Sequence, residues 1–257
     1  GTIRYFEPAV LVSDPDHPVG EKVNIWRQYL KTAPPLLENV CVHEDPARIE
    51  QTLALIKPDS SRQRSAKPGT IVDMFSRTGL RIIGCSLLRM SVNQAMEFYG
   101  PVKEGLCRKL SPAVGTRVRE MVERELAIVL PGGAEEKLAE IVGIPYACGQ
   151  FEKIIEFMSG RKPSECPEAE RDVEGPASCL ALVYEGQDAV AKIRTVLGPT
   201  DPTKAPDGTV RREFGLDVMV NTAHASDSPE NAQREIKVLQ LRESSLLKAL
   251  ERLPEEP

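Results

Sequence analysis

The chain has 257 residues and a formal net charge of −5 at pH 7. Hydrophobic residues make up 41% and charged residues 28%, the balance of a soluble globular chain, and the length suits one elaborated domain or two small ones. The mild acidity argues against specific or general nucleic-acid binding and leaves room only for a local basic pocket.

Residues 1–50 carry several prolines, an apolar patch AVLV and a helical pattern, EKVNIWRQYLKT. They read as an N-terminal extension that packs on something. No apolar run approaches the ~20 residues that span a bilayer, and GTIRYFEPAVLVSD lacks the layout of a signal peptide, so a cytoplasmic protein without a membrane partner is expected. TLALIK reads as a buried strand. GTIVDMFSRTGL has helical spacing and ends at Gly79, a C-cap residue type. LRIIGCSLLRM is a long strand, and SVNQAMEFYG a helix with Ser91 as its N-cap.

Beyond it, SPAVGTRVREMVERELAIVL and GGAEEKLAEIVG read as two further helices, and QFEKIIEFMSG as another. Residues 161–176 are charged and proline-rich, a solvent-facing loop. ASCLALVYEG is a strand and QDAVAKIRTVLG a helix. PTDPTKAPDGTVRREFGL has too many prolines for regular structure, and its lysine and two arginines mark a functional loop. DVMVN is a strand. SPENAQREIKVL is a helix that starts on Ser228, Pro229 and Glu230, with serine as N-cap and proline at the first helical position. The chain ends in a helical tail, 241–257. Without the extras, the order is β, α, β, α, α, β, α, β, α. That order fits an α+β fold, a ferredoxin-like antiparallel sheet with helices packed on one face.

Six cysteines, at 41, 85, 107, 148, 166 and 179, form no C-x-x-C pair. Cys85 and Cys179 lie in strand-like runs and read as reduced core thiols. Walker-type, dinucleotide, zincin and nucleophile-elbow motifs are missing. One histidine of three, His224, sits between DVMVN and the last helix start, on a short rigid segment. Neutral imidazole is a competent nucleophile at pH 7, and Lys57, Arg194 and Arg211 are cations of the kind that a moving phosphoryl group requires. Spacing alone leaves His224 open between a nucleophile and a hydrogen-bonded structural histidine, and Lys57 and Arg194 between ligands and surface charges.

The segments TLALIKPD, GTIVDMFSRTGLRIIG, AMEFY, IRTVLGPTDPTKAPDGTVRREFG and VNTAHASDSPENAQREI resemble nucleoside diphosphate kinases, in order and at nearly the family's intervals. The resemblance covers residues 51–106 and 150–240, with N-x-x-H-A-S-D as its most specific run. It implies a kinase that takes the γ-phosphate of a nucleoside triphosphate onto His224 and passes it to a diphosphate. Glu235 matches the acid that orients the ring, and Ser226 the residue that supports it. Lys57, Tyr99, Arg194, Thr200 and Arg211 match phosphate and transfer groups, and Asn221 the sugar contact. Mg²⁺ would be held mainly through the nucleotide phosphates, so no protein metal site is expected. Homo-oligomers are usual in the family.

The match breaks in three places. Ala225 stands where the family has glycine, which requires that φ there is not positive. The aromatic that stacks on the base aligns with Gln150, with Phe151 next and Ile154 closing the other side. Residues 107–149 form a helical insertion at the family's lid, and 161–176 lengthen the next loop. Stacking without base-edge contacts implies breadth over bases. The alternative is an inactive nucleotide-binding scaffold whose extension and insertion dock protein partners.

Overall fold

The structure is a computed structural model that describes residues 19–37, 45, 48–61, 65–243, 247, 250 and 251. Two compact units partition the chain: residues 1–35 with 242–257, and residues 36–241. In the first, helix α1 (Val19–Thr32) carries Trp26 against Tyr29 edge to face at 5.8 Å, and Arg27 donates twice to the Leu250 carbonyl, at 2.9 and 2.6 Å. The AVLV patch and most of the tail lie outside the described residues.

The second unit runs β1 (Ile49–Ile56), α2 (Pro58–Ser61), α3 (Lys67–Ser76), β2 (Arg81–Leu88), α4 (Val92–Leu126), α5 (Ala134–Leu138), α6 (Ile144–Ser159), β3 (Cys179–Gln187), α7 (Ala189–Leu197), α8 (Val210–Phe214), β4 (Ala223–Ala225) and α9 (Pro229–Val238). The sheet order is β2-β3-β1-β4 and every pair is antiparallel, the expected ferredoxin-like α+β arrangement.

Helices cover both faces rather than one. Alternation along β1 sends Leu53 and Leu55 into a core with Phe98, Phe151, Ile155, Met158 and Ile236, from α4, α6 and α9. Ala54 and Ile56 point the other way, into a core with Ile71, Phe75, Ile193 and Leu197, from α3 and α7. A strand buried on both sides reads as an unbroken apolar run, which is why TLALI shows no polar face.

Three local expectations change. DVMVN is not a strand: the Asp217 carboxylate accepts the Met219 and Val220 amides, both at 2.7 Å, so these N–H groups are tied into a local turn instead of a ladder. The strand comes later, with His224 paired to Leu55. The first inserted pattern is not a separate helix but the continuation of α4, which spans 35 residues through Pro101 and Pro112. It is capped at its start by Ser91, whose hydroxyl accepts from the Gln94 amide while the Gln94 side chain accepts from the Ser91 amide. The second pattern gives α5 and a π-helical turn, Ala139–Gly143, that runs into α6. Finally, Cys179 is buried as expected but Cys85, on β2, an outer strand of the sheet, is exposed.

Insertion helices α4 and α5–α6 return on each other along small residues. A Cβ added to Gly143 would lie 2.7 Å from the Ser111 Cα, and one added to Gly115 2.9 Å from the Ala139 Cβ. Side chains larger than hydrogen have no room at either crossing.

Candidate active site

His224 lies mid-strand in β4, with its ring toward α9 and α4. Glu235, on the second turn of α9, accepts from or donates to Nε2 at 3.0 Å according to tautomer. The Ser226 hydroxyl donates to the same carboxylate oxygen at 2.6 Å. Glu235 is buried, as is Ser226, and a buried carboxylate that already accepts one hydrogen bond favours the tautomer with the proton on Nε2. Nδ1 is then the free, nucleophilic nitrogen. The Phe98 ring stands edge-on to the imidazole at 5.1 Å and Tyr99 at 6.1 Å, so the ring plane is fixed on two sides.

A cavity of about 150 Å³ opens on this ring, lined by Tyr99, Arg194, Thr200, Arg211, His224 and Glu235, together with Phe98, Pro101, Val102, Asp227, Asn231 and Arg234. The volume is small for a drug-sized ligand and suits a phosphate chain end. The Arg211 guanidinium donates to the Gly198 and Ala223 carbonyls at 2.9 and 3.0 Å. Burial, and then the charge of Arg194, push it down to about 10, so two cations share one partly desolvated space. Burial also pushes the Tyr99 phenol well above its usual value, and its hydroxyl is buried without a partner among the described residues.

Lys57, Asn221 and Ser226 stand behind this lining rather than in it. Lys57 donates to Asn221 Oδ1 at 2.7 Å and the Asn221 amide donates to the Thr200 and Val218 carbonyls at 3.1 and 2.8 Å. Burial and then Arg211 lower Lys57 to about 8. Between Asn221 and β4, Thr222 holds φ at +78°, uncommon for a β-branched residue; the Lys57 amide clamps its carbonyl at 2.9 Å. Ala225 is not among the described residues with positive φ, so alanine fits where the family has glycine.

Phe151 and Ile154 are not brought to the cavity. Phe151 is 5% exposed in the core below α4, with the Lys103 ammonium over its ring at 5.7 Å, and Ile154 packs against that core. None of residues 107–149 lines the His224 cavity. A second, more open space of about 570 Å³ is lined by Lys153, Glu156, Phe157, Gly160, Pro176 and Met219.

Sequence reasoning missed Arg234 and Phe98. Arg234 reaches Glu235 at 3.5 Å and donates to the Glu97 and Phe98 carbonyls at 3.1 and 3.2 Å. Its signal was present: Pro101 has no N–H for the Glu97 carbonyl one turn back, so some other donor must reach it.

A ferredoxin-like sheet that presents an oriented imidazole among clustered guanidinium groups defines, as a class, a phosphate-handling histidine site. The family model described as nucleoside diphosphate kinase matches residues 50–107 and 165–244, more than half of the chain. A nucleoside diphosphate kinase of Staphylothermus marinus is 32% identical over 190 residues, 74% of this chain and 92% of that one. One from Hydrogenovibrio crunogenus is 29% identical over 73% and 90%. The Aquifex aeolicus nucleoside diphosphate kinase structure superimposes with a TM-score of 0.44 at 28% identity, over 74% of this chain and 94% of that one. The chain belongs to the nucleoside diphosphate kinase family.

Proposed function

We propose that this nucleoside diphosphate kinase moves the γ-phosphate of a nucleoside triphosphate onto Nδ1 of His224, and then onto a nucleoside diphosphate, in a ping-pong cycle. The observation that carries the reading is the bond from Nε2 to Glu235, which leaves Nδ1 as the attacking atom. The Nδ1 lone pair forms the P–N bond while the bridging P–O bond breaks, and the diphosphate leaves with that electron pair. A terminal oxygen of the incoming diphosphate then reverses the step. Charge spread over the equatorial oxygens is met by Arg194 and Arg211, in a site where fixed cations need little reorganisation. Lys57 adds charge from behind them, and Asn221 ties Lys57 to the Thr200 and Val218 backbone. Thr200 offers a hydroxyl from an exposed position in the lining, and Tyr99 a buried one that has no partner among the described residues.

A divalent cation, Mg²⁺, fits this donor set if the nucleotide carries it. No three His, Cys, Asp or Glu side chains gather among the described residues, while Asp227 stands in the lining as one carboxylate for a water-mediated contact. Bound there, the cation supplies neutralisation of the donor phosphates. The base belongs in the second space, against Phe157 and Met219. Met219, in the lining of this second space, accepts at its carbonyl from the Lys57 ammonium at 3.5 Å, behind the lining of the first.

The test is incubation with γ-labelled ATP. The protein should acquire acid-labile, alkali-stable label, and His224→Ala should acquire none while it still binds nucleotide. Equal labelling or turnover in His224→Ala sinks the mechanism.

A further inference from the structure

Glu235 has two carboxylate oxygens, and they meet different partners. Oε2 lies 3.0 Å from Nε2 of His224 and accepts from the Ser226 hydroxyl at 2.6 Å. Oε1 pairs with the Arg234 guanidinium, 3.5 Å from Nη2. The two residues are successive on α9 and so leave its axis about 100° apart. Arg234 therefore bends back along the helix to reach the acid.

The same guanidinium also reaches α4. Nη1 donates to the Glu97 carbonyl at 3.1 Å and Nη2 to the Phe98 carbonyl at 3.2 Å. The side chain is 33% exposed and that of Glu235 6%, so water screens the pair only in part. A planar fork with its donors fixed in one plane holds several acceptors in a single geometry. Those acceptors belong to the two walls of the imidazole. One is the carboxylate on Nε2, and the other is the backbone of Phe98, whose ring stands edge-on to the imidazole at 5.1 Å.

We propose that Arg234 is a positioning residue for phosphotransfer, a role that rests on His224 as the phosphoryl acceptor. It fixes the Glu235 carboxylate and the Phe98 backbone together, which keeps the ring proton on Nε2 and turns Nδ1 to the incoming phosphorus. Arg234 lines the His224 cavity, yet it acts through these groups and not on the phosphate. Both Nη atoms are engaged, and Nε is buried without a partner among the described residues.

Three variants of the full chain test this: Arg234→Ala, Arg234→Lys, and Arg234→Ala combined with Pro101→Ala. In Arg234→Ala, kcat should fall about 10- to 10²-fold, the usual cost of losing a group that orients a functional ligand, while nucleotide KM stays near the native value. Nitrogen spectra of ¹⁵N-labelled histidine should show the Nε2-protonated ring of His224 giving way to a mixture of tautomers. Arg234→Lys should recover part of kcat and of the native spectrum, because an ammonium restores charge beside Oε1. The double variant returns a backbone N–H to the Glu97 carbonyl. Its Tm should rise above that of Arg234→Ala, with kcat and the tautomer mixture unrepaired. Native kcat in Arg234→Ala overturns the proposal. So does a raised KM at native kcat, which makes Arg234 a phosphate ligand, or recovery of kcat in the double variant, which makes it only a brace for α4. A native chain that takes no label on His224 defeats the phosphohistidine reading instead, and the tautomer spectra of the unlabelled chains still decide whether Arg234 fixes the ring.

Discussion

Lys57 shows how one residue links charge, stability and turnover. It is 9% exposed, and burial together with Arg211 brings it down to about 8 from 10.5. Activity that needs the ammonium should be full below that value and fall above it. We expect kcat/KM to show an alkaline limb centred near pH 8, falling about tenfold per unit beyond it, as a single essential proton requires. Lys57→Met should lack that limb. A flat profile to pH 9.5 or so would detach Lys57 from the phosphates. Stability runs the opposite way. Between about 8 and 10.5 the unfolded chain holds the Lys57 proton and the native chain does not, so this group's contribution to stability rises with pH across that window. The residue serves charge at neutral pH and weakens the fold there. Phe157 makes a second case. Removing its ring should raise nucleotide KM by a factor of about 5 to 10², the size of one lost stacking contact, and leave turnover at saturation nearly unchanged. An unaltered KM in Phe157→Ala would move the base elsewhere.

At the level of elements, the hairpin of α4 with α5–α6 is held by close approach rather than by large side chains. Gly143 lies against the Ser111 backbone, so Gly143→Leu must push the helices apart. Overpacking of this kind costs about 1–3 kcal/mol. Thermal melting should show that loss, while His224 still takes label at high ATP, because no residue between 107 and 149 touches the His224 cavity. Loss of labelling in a folded Gly143→Leu chain would make the hairpin part of the site after all. The tip and return of the hairpin also leave Leu126, Ile128, Val129 and Ile141 exposed. The apolar stripes seen in the sequence are thus only partly used within the unit.

For the molecule as a whole, sequence gave good access to element order and to the histidine with its acid. The unbroken apolar run of β1 and the Ser91 and Ser228 caps are local effects, and local effects are written in short windows. What stayed hidden depends on distant partners. DVMVN has strand composition, yet Asp217 takes its amides. SVNQAMEFYG and SPAVGTRVREMVERELAIVL read as separate helices, but α4 runs through both, with Pro101 and Pro112 inside it. Phe151 has the right chemistry for stacking, but its position on α6 turns it to the core. The two-sided packing of the sheet is legible in TLALI, where Leu53 to Ile56 carry no polar side chain on either face, whereas the outer strand β2 shows one exposed side.

Proline 101 has a consequence for inheritance. Its missing N–H leaves the Glu97 carbonyl to Arg234, and Arg234 in turn lies against Glu235. The two positions are therefore not free to vary separately. Pro101→Ala alone brings a competing amide to a carbonyl that is already served, whereas in an Arg234→Ala background the same change rescues an orphan. A double-mutant cycle on unfolding should return a coupling of about 0.5–3 kcal/mol, and simple additivity would show that the two sites vary independently. A lineage that loses the arginine first is under pressure to lose the proline next, and the order in which the two changes arrive decides whether the Glu235 carboxylate keeps its neighbour.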